Sequence, residues 1–192
     1  MKRYFLFDCE TGGLDETSTS LLTMYAKVLD SKLQELGTLD LRIEPTDGRY
    51  HLDIEAMKIN KINILEHDKV AVTQQEASKQ LRDFLFRHCP PTDDKLIPTG
   101  HNINLDVRFA SRLLPDWKIF CSHRWLDTSA IGQFFQLVGK IPDTNSGSLA
   151  QLCQYFGIDS SKNHDAKADV EMTHLLLQAM AREGLLPSCP TT

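Results

Sequence analysis

Cysteine is scarce in this chain of 192 residues, and the few cysteines present form no recognisable motif. The five are Cys9, Cys89, Cys121, Cys153 and Cys189. Their number is odd, they are widely scattered, and no Cys-x-x-Cys pair occurs among them. This distribution argues against both a disulfide framework and a zinc site. We therefore expect the protein to work in a reducing compartment, most simply the cytoplasm.

Long apolar runs are also missing. Residues 1–7 imitate a secretion signal, but Asp8 interrupts the apolar run after only four residues, well short of the apolar core of an export signal. No later stretch approaches the roughly 18 uninterrupted apolar residues that a membrane span needs. We expect no transmembrane segment and no membrane partner, and we predict that the opening run is a buried strand.

An excess of basic residues is the third missing feature. The chain has 21 Lys and Arg against 26 Asp and Glu, which gives a net charge of −5. A protein that coats nucleic acid by bulk electrostatic attraction is therefore disfavoured. An enzyme with a local site or bound cations is still compatible with this charge.

Internal repeats, low-complexity tracts and Gly/Ser linkers are absent as well. Apolar residues make up 41% of the chain and charged residues 24%, which is ordinary globular composition. We therefore expect a single domain over residues 1–185, followed by a short C-terminal tail over residues 186–192.

Apolar runs and turn residues predict the order of the secondary structure elements. The predicted strands are at 4–9, 21–29, 38–43, 95–99 and 117–126. Helical periodicity and capping residues predict helices at 53–62, 73–88, 105–114, 128–138, 148–156 and 166–183. Three strands followed by strands alternating with helices indicate an α/β domain with a mixed sheet.

Asp8 and Glu10 are unusual because they continue an apolar strand. They are two residues apart, so both side chains project from the same face of that strand. Buried carboxylates need a compensating cation, which is either Arg or Lys or a metal ion. Oxygen ligands alone suit Mg²⁺ or Mn²⁺ better than zinc. The alternative is that both acids mark the exposed end of the strand and cap the turn that follows.

Residues 100–106 form a second candidate segment, where a strand gives way to a helix. Asp106 falls in the first turn of that helix, where an acid also has a purely structural use because it complements the positive end of the helix dipole. Asn102 or Asn104 is predicted to be the N-cap. His101 precedes them and is either a surface histidine or a contact for a bound molecule.

Residues 163–169 precede the apolar stripe of the last predicted helix. His164 and Asp169 are five residues apart, so they do not share a helical face, and we place His164 on the preceding loop and Asp169 inside the helix. This division suits a mobile histidine that acts on water and an aspartate that fixes an ion. The alternative is a loop histidine without a function.

The three segments occur in an order that resembles one enzyme family. They read FDCETG at 7–12, GHNINLD at 100–106 and HDAKAD at 164–169. In this order they are similar to the three motifs of the DEDD-type 3′→5′ exonucleases, in the subtype that has a catalytic histidine. The resemblance covers nearly the whole chain, and residues 126–128 and 148–152 also resemble segments of that family.

This resemblance implies a ribonuclease-H-like fold, with a central mixed sheet of about five or six strands flanked by helices. It implies two divalent ions, Mg²⁺ or Mn²⁺, held between the motifs. Asp8, Glu10 and Asp169 would hold the first ion, and Asp8 with Asp106 the second. His164 would be the general base that removes a proton from the attacking water. Two closely spaced ions are suited to an in-line displacement at phosphorus.

The resemblance also implies a pocket for the 3′-terminal nucleotide. Thr11, Gly12 and Leu14 would border this pocket, and Asn102 and Leu105 would contact the phosphate or the sugar. His101 is a further candidate contact. The expected substrate is single-stranded nucleic acid with a free 3′ end, with DNA favoured over short RNA, and a DNA polymerase is a possible partner.

The sequence departs from the family pattern in two places. The second strand carries Thr23 and Tyr25 where relatives often have a glutamate and a glycine. The segment after the first helix reads Asn60-Lys61-Ile62-Asn63 in place of a His-Gly type sequence. These departures leave the metal-binding set untouched and bear on the substrate preference. Independently of them, two other classes of function stay open, namely a non-catalytic binding module on this fold and a metal-free hydrolase with paired carboxylates.

Overall fold

A mixed sheet of six strands with helices around it forms the framework of the computed structural model, which describes residues 2–89, 94–161 and 165–185. The strands are β1 (Tyr4–Thr11), β2 (Leu21–Leu29), β3 (Glu35–Glu44), β4 (Val72–Thr73), β5 (Ile97–Gly100) and β6 (Leu126–Asp127). The helices are α1 (Ile54–Asn60), α2 (Ile64–Asp68), α3 (Gln74–His88), α4 (Asn104–Leu113), α5 (Trp117–Phe120), α6 (Thr128–Leu137), α7 (Leu149–Tyr155) and α8 (Ala166–Leu185). The strand order is β4-β3-β2-β1-β5-β6. The predicted α/β fold with a mixed sheet is confirmed.

Strand β1 lies in the middle of the sheet. It pairs antiparallel with β2 and parallel with β5, so both of its edges are hydrogen-bonded. Phe5, Leu6 and Phe7 are 0–1% exposed. Such a continuous apolar run is typical of a strand that is covered on both faces. The strand continues to Thr11, two residues further than predicted, so the acidic positions lie inside a paired strand.

The two faces of β1 contact different helices. Phe5 and Phe7 belong to the larger core, which includes buried side chains of α3, α4 and α5, and Cys9 belongs to it as a small buried residue. The opposite face carries Leu6, which packs with Val170 and Leu177 of α8. Because alternate residues of a strand face opposite ways, Asp8 and Glu10 lie on the α8 side. The packing of α8 therefore decides what faces these acids.

A buried lysine attaches α8 to the sheet by charge. Lys27 of β2 is only 4% exposed, and its ammonium lies 2.6 Å from a carboxylate oxygen of Glu171 and 2.9 Å from one of Glu35. The hydrogen bonds to these carboxylates favour the charged form and raise the pKa of Lys27, although burial opposes them. Three elements, β2, β3 and α8, are therefore joined at one cation.

Side-chain caps begin several helices where the sequence predicts. The Thr73 hydroxyl accepts a hydrogen bond from the Glu76 backbone N–H, and Ser148 does the same for Gln151. Asp127 caps α6 by accepting from the Ser129 N–H. These bonds satisfy backbone donors that a helix leaves unpaired in its first turn.

One predicted strand is wrong. Residues 117–126 do not form a continuous strand, because Trp117–Phe120 is a short helix and Cys121 makes only an isolated bridge to Leu96. Trp117 and Phe120 are three residues apart, so a helical turn buries both rings in the core, whereas a strand would point them to opposite faces. Only Leu126–Asp127 pairs with β5.

The sequence also gave no sign of two short elements. Helix α2 forms because the Asn63 side chain accepts hydrogen bonds from the Leu65 and Glu66 N–H groups. Strand β4 consists of two residues that extend the sheet beside β3. The predicted tail over residues 186–192 lies outside the described residues. Among the helices of the described ranges, none is both long enough and apolar enough to cross a membrane. The expected cytoplasmic location stays a prediction.

We predict that the contact of α8 with the sheet is a main source of stability. Leu177 is 4% exposed, so Leu177→Ala should lower the free energy of unfolding by about 2–5 kcal/mol, as large-to-small core substitutions do. Leu175 on the same helix is 49% exposed, and Leu175→Ala is the matched control with an expected change within about 0.5 kcal/mol. Urea denaturation followed by circular dichroism measures both. Equal losses in the two variants would contradict this account.

Candidate active site

Three carboxylates meet where β1 and α8 approach one another. Asp8 and Glu10 come from alternate positions of β1, and Asp169 comes from the first turn of α8. One oxygen from each lies within 4.8 Å of the others, and all three residues are partly buried. Asp169 is about 160 residues from Asp8 and Glu10 in sequence. The packing of α8 on the face of the sheet that bears these acids brings the three together.

Asp106 lies behind this group. It is in the first turn of α4, is 6% exposed, and its Oδ1 accepts a hydrogen bond of 2.9 Å from the backbone N–H of Cys9. This bond fixes the start of α4 against β1, between the two acidic positions of the strand. Among the neighbouring charges, that of Asp106 acts most strongly on Asp8. The predicted set of four acids is therefore arranged as a group of three with Asp106 beside Asp8.

Burial and mutual repulsion hold protons on these acids. Burial raises the pKa of Asp8 well above its usual value, and the charges of Asp106, Glu10 and Asp169 raise it further. Burial, followed by the charge of Asp169, raises the pKa of Glu10 to about 7. Burial also raises the pKa of Asp106 to about 7, against the lowering effect of its bond from the Cys9 N–H. A bound cation would remove the cause of the repulsion.

The donor set fits a hard divalent cation. It consists of carboxylate oxygens alone, which is the ligand type of Mg²⁺ and Mn²⁺ and not the nitrogen and sulfur set of a typical zinc site. Asp8, Glu10 and Asp169 are close enough to share one ion. Asp106 adds a further carboxylate next to Asp8.

His164, the predicted general base, lies outside the described residues, which resume at Asp165. Asp165 is exposed, and its carboxylate accepts a hydrogen bond of 3.1 Å from the Lys167 N–H at the start of α8. The Lys167 ammonium lies over the Tyr25 ring, 5.7 Å from its centroid. Residue 164 therefore directly precedes a segment that is fixed beside the acids.

The turn after β1 is held tightly. The Thr11 hydroxyl donates to the Gly13 carbonyl oxygen, and the Gly12 N–H donates to the Ser20 carbonyl. A Cβ atom on Gly12 would lie 2.2 Å from the backbone oxygen of His51. Only glycine, which has no Cβ, therefore fits at this position. Leu14 follows and is 75% exposed. The turn thus presents one large apolar side chain to solvent, four residues after Glu10 in sequence.

Arg108 and Arg112 fix this turn to α4. Arg108 donates to a Glu16 carboxylate oxygen at 2.8 Å and to the Leu14 carbonyl at 3.2 Å, and Arg112 donates to the Glu16 carbonyl. The helix that supplies Asp106 therefore also positions the segment that carries Leu14. Sequence reasoning missed both arginines. The available signal was their spacing of four residues on the exposed face of the helix after Asp106.

The segment before α4 is fixed by Asp127. Asn102 has a positive φ of 55°, and its backbone N–H donates to the Asp127 carboxylate at 3.0 Å. The prediction of Asn102 or Asn104 as N-cap is wrong, because Ile103 is the cap residue and no side chain caps α4. The left-handed turn at Asn102 directs its N–H towards β6 and not into the helix. Leu105 is partly buried.

His101 is turned towards α6. Its Nδ1 lies 2.9 Å from the Thr128 hydroxyl, which itself donates to the Gly100 carbonyl, so His101 must be the donor in this contact. Burial lowers the pKa of His101. The imidazole is therefore neutral near pH 7, with the proton on Nδ1.

Asn60 stands in the segment where relatives have a His-Gly type sequence, and its side chain makes structural contacts. Its side-chain amide donates to the Thr11 carbonyl at 3.1 Å, and its Oδ1 accepts from the Ile62 N–H. Asn60 is buried. The end of α1 is thereby joined to the end of β1.

The fold is of the ribonuclease-H-like class, and the clustered acids lie at the end of its central strand. The chain belongs to the exonuclease family whose model is described as RNase_T, Exonuclease, which matches residues 5–177, and it is a 3′→5′ exonuclease. The expected family is confirmed.

Relatives and solved structures agree with this assignment. An oligoribonuclease of Paraburkholderia xenovorans is 26% identical over 95% of this chain and 84% of the relative. Escherichia coli exonuclease I in complex with a dA16 oligonucleotide has a TM-score of 0.80 at 20% identity, over 95% of this chain. A zinc-bound complex of that enzyme with single-stranded DNA also has a TM-score of 0.80. This chain spans only 41% of the exonuclease I chain.

We predict that the metal-free protein becomes less stable as pH rises through the range in which the clustered acids lose their protons. The folded-state pKa of Glu10, about 7, is above its usual value of 4.5, so between these values the folded state binds more protons than the unfolded state. The free energy of unfolding should therefore fall from about pH 4.5 to 7. Mg²⁺ should restore it, with the larger effect at high pH.

Thermal melts between pH 5 and 8, with and without Mg²⁺, measure this dependence. Glu10→Gln lacks the titrating carboxyl, so the difference between wild type and variant isolates its contribution from those of other acids. A Mg²⁺ stabilisation equal at pH 5 and pH 8 would contradict the prediction.

Proposed function

We propose that this exonuclease removes nucleoside 5′-monophosphates one at a time from the 3′ end of single-stranded DNA, with two Mg²⁺ or Mn²⁺ ions. The observation that carries the proposal is the approach of carboxylate oxygens of Asp8, Glu10 and Asp169 to within 4.8 Å of one another. Asp106 beside Asp8 supplies the further ligand that a second ion requires. An acidic group of this kind repels a phosphodiester unless cations are bound to it.

The proposed roles follow the positions of the side chains. Asp8, Glu10 and Asp169 would hold one ion, and Asp8 with Asp106 the other. When bound, the two ions lower the pKa of the attacking water and stabilise charge on the leaving oxygen. Four carboxylates and two divalent ions together carry no net charge, which lets an acidic protein accept a polyanion.

His164 is proposed as the general base. It would accept a proton from the water whose oxygen attacks the phosphorus of the last phosphodiester. The bond between phosphorus and the 3′ oxygen of the shortened strand then breaks, and that oxygen is protonated to a hydroxyl. The products are a nucleoside 5′-monophosphate and a strand one nucleotide shorter. The Asp165 carboxylate accepts a hydrogen bond from the Lys167 N–H at the start of α8, the segment that follows residue 164 in sequence.

The nucleotide pocket is proposed to lie between the turn after β1 and the start of α4. Leu14 is exposed there and would pack against the terminal base or sugar. Thr11 and Gly12, which are buried, would border the pocket through the backbone of the turn. Asn102, Leu105 and His101 stay candidate contacts.

Short RNA is the second candidate substrate. It is supported by the curated relatives named oligoribonuclease, whereas DNA is supported by the exonuclease I complexes with DNA oligonucleotides. The two readings differ in whether the pocket admits a 2′-hydroxyl. The names of these relatives give no support to the expected polymerase partner.

We predict 3′→5′ shortening of 5′-labelled single strands in Mg²⁺ or Mn²⁺, faster on DNA than on matched RNA, and none with chelator. Asp169→Asn keeps the shape of the side chain but removes its charge, so the rate should fall by more than about 100-fold, beyond the usual cost of disturbing an outer metal contact. Gel analysis of product ladders measures both.

The outcomes separate the alternatives. Faster shortening of RNA would favour the oligoribonuclease reading. Activity that survives the chelator would indicate a metal-free hydrolase. A folded protein that binds metal but cleaves neither strand would indicate a non-catalytic binding module.

We predict that His164→Ala lowers kcat by about 10²–10⁴-fold, the usual contribution of a general base. KM should change little, because the histidine acts on water and not on the strand. His123→Ala is the matched control, since His123 is an exposed histidine before β6. Steady-state kinetics on one labelled oligonucleotide measure both variants. An unchanged kcat in His164→Ala would overturn the assignment of the base.

A further inference from the structure

The first turn of α8 carries a lysine close to one of the clustered acids. Lys167 precedes Asp169 by two residues, and its ammonium lies over the ring of Tyr25, 5.7 Å from the ring centroid. An ammonium is attracted to the face of an aromatic ring up to about 6 Å from the centroid. This contact therefore attaches the start of α8 to β2.

The sheet register places Tyr25 beside the acids. Tyr25 of β2 is directly opposite Asp8 of β1, so both side chains point to the face of the sheet on which α8 packs. Tyr25 is 7% exposed and belongs to the same buried cluster as Ala166 and Val170 of α8. The ring is therefore packed under the turn of α8 that presents Asp169 to β1.

A second attachment follows one helical turn later. Lys27 is two residues after Tyr25 on β2, and Glu171 is four residues after Lys167 on α8, so each step stays on the same face of its element. The Lys27 ammonium lies 2.6 Å from a Glu171 carboxylate oxygen. Asp169 thus lies between two points at which α8 is attached to β2.

The clustered acids oppose this arrangement. The charge of Asp169 acts on both Asp8 and Glu10, and all three carboxylates approach within 4.8 Å. If the first turn of α8 loosened, repulsion would move Asp169 away from β1 and out of reach of an ion shared with the other two. A site whose ligands are already held together binds more tightly, because binding then requires less rearrangement.

We propose that Tyr25 and Lys167 form a positioning pair that raises the affinity of the acidic group for divalent cations. The pair acts through Asp169 and contacts neither the ion nor the strand. This inference rests on the proposed function, because it assumes that Asp8, Glu10 and Asp169 bind a divalent cation. Tyr25 stands at one of the two places where the sequence departs from the family pattern.

Direct metal binding tests the pair. Lys167→Met removes the charge and keeps an unbranched side chain, so it should weaken Mn²⁺ binding by about two- to fivefold, the factor that corresponds to one ammonium–ring contact. Tyr25→Leu removes the ring and should weaken binding at least as much. Lys167→Arg and Tyr25→Phe should stay near wild type, because a guanidinium also binds a ring face and phenylalanine keeps the ring. Isothermal titration calorimetry with Mn²⁺, without nucleic acid, measures all four variants.

The direction of the change separates positioning from a simple charge effect. A cation two residues from Asp169 repels a metal ion, so removing a Lys167 that acted by charge alone would strengthen Mn²⁺ binding. The positioning pair predicts weaker binding. The double variant Tyr25→Leu with Lys167→Met should bind Mn²⁺ no more weakly than Tyr25→Leu alone, because both residues act through one contact.

The metal dependence of the reaction gives a second readout. Lys167→Met should need about two- to fivefold more Mn²⁺ for its half-maximal rate, while kcat and the KM for the strand at saturating Mn²⁺ stay near wild type. Lys140→Met is the matched control, because the Lys140 ammonium lies 5.5 Å from the centroid of Phe135, which belongs to a different buried cluster from Tyr25. It should leave the Mn²⁺ affinity unchanged.

The outcomes distinguish the pair from the function on which it rests. If wild type neither binds Mn²⁺ nor shortens a strand, the proposed function fails. If wild type does both, and Lys167→Met binds Mn²⁺ as tightly as wild type or more tightly, the pair is overturned. A KM for the strand that rises at saturating Mn²⁺ would also overturn it, since Lys167 would then contact the strand. Lys167 is exposed, so this test stands even if the buried variant Tyr25→Leu fails to fold in a thermal melt.

Discussion

Mutual repulsion among the carboxylates at the end of β1 is the constraint that the surrounding structure accommodates. Asp8, Glu10 and Asp169 approach within 4.8 Å, and Asp106 lies beside them. Water and counterions weaken such repulsion at a surface, but these groups are partly buried, so protons stay bound to them near neutral pH. The same cost would favour binding of a divalent cation, because a bound cation would replace the protons and offset the repulsion.

The rest of the fold holds the acids together against this repulsion. β1 is hydrogen-bonded on both edges, and its apolar residues anchor it between two layers of helices. The Cys9 N–H donates a hydrogen bond to Asp106 and holds it in place. The ion pairs of Lys27, together with the buried core around Leu177, hold α8 against the sheet. The elements that stabilise the fold, β1 and α8, therefore also carry the acids, and the destabilising charges lie near the ends of these elements.

The basic side chains around the acidic group differ in what they contact. Arg108 and Arg112 are committed to the turn that carries Leu14, so they shape the proposed nucleotide pocket and do not attract substrate directly. Arg42 and Lys61 line a groove beside Glu10, together with the acids Glu66 and Asp165. An enzyme of negative net charge would bind a polyanion most readily where bound divalent ions offset the clustered acids.

The sequence by itself determined the α/β class, most strands and helices, and the acidic positions. Strand alternation placed Asp8 and Glu10 on one face, and the order of the motifs pointed to Asp106 and Asp169. Local pattern failed at Trp117, because burial of two aromatic rings on one helical turn overrode an apolar run that resembles a strand. The approach of the first turn of α8 to β1 and β2 was decided only by the tertiary structure. It depends on helix packing and strand register between distant segments, and no local spacing encodes such contacts.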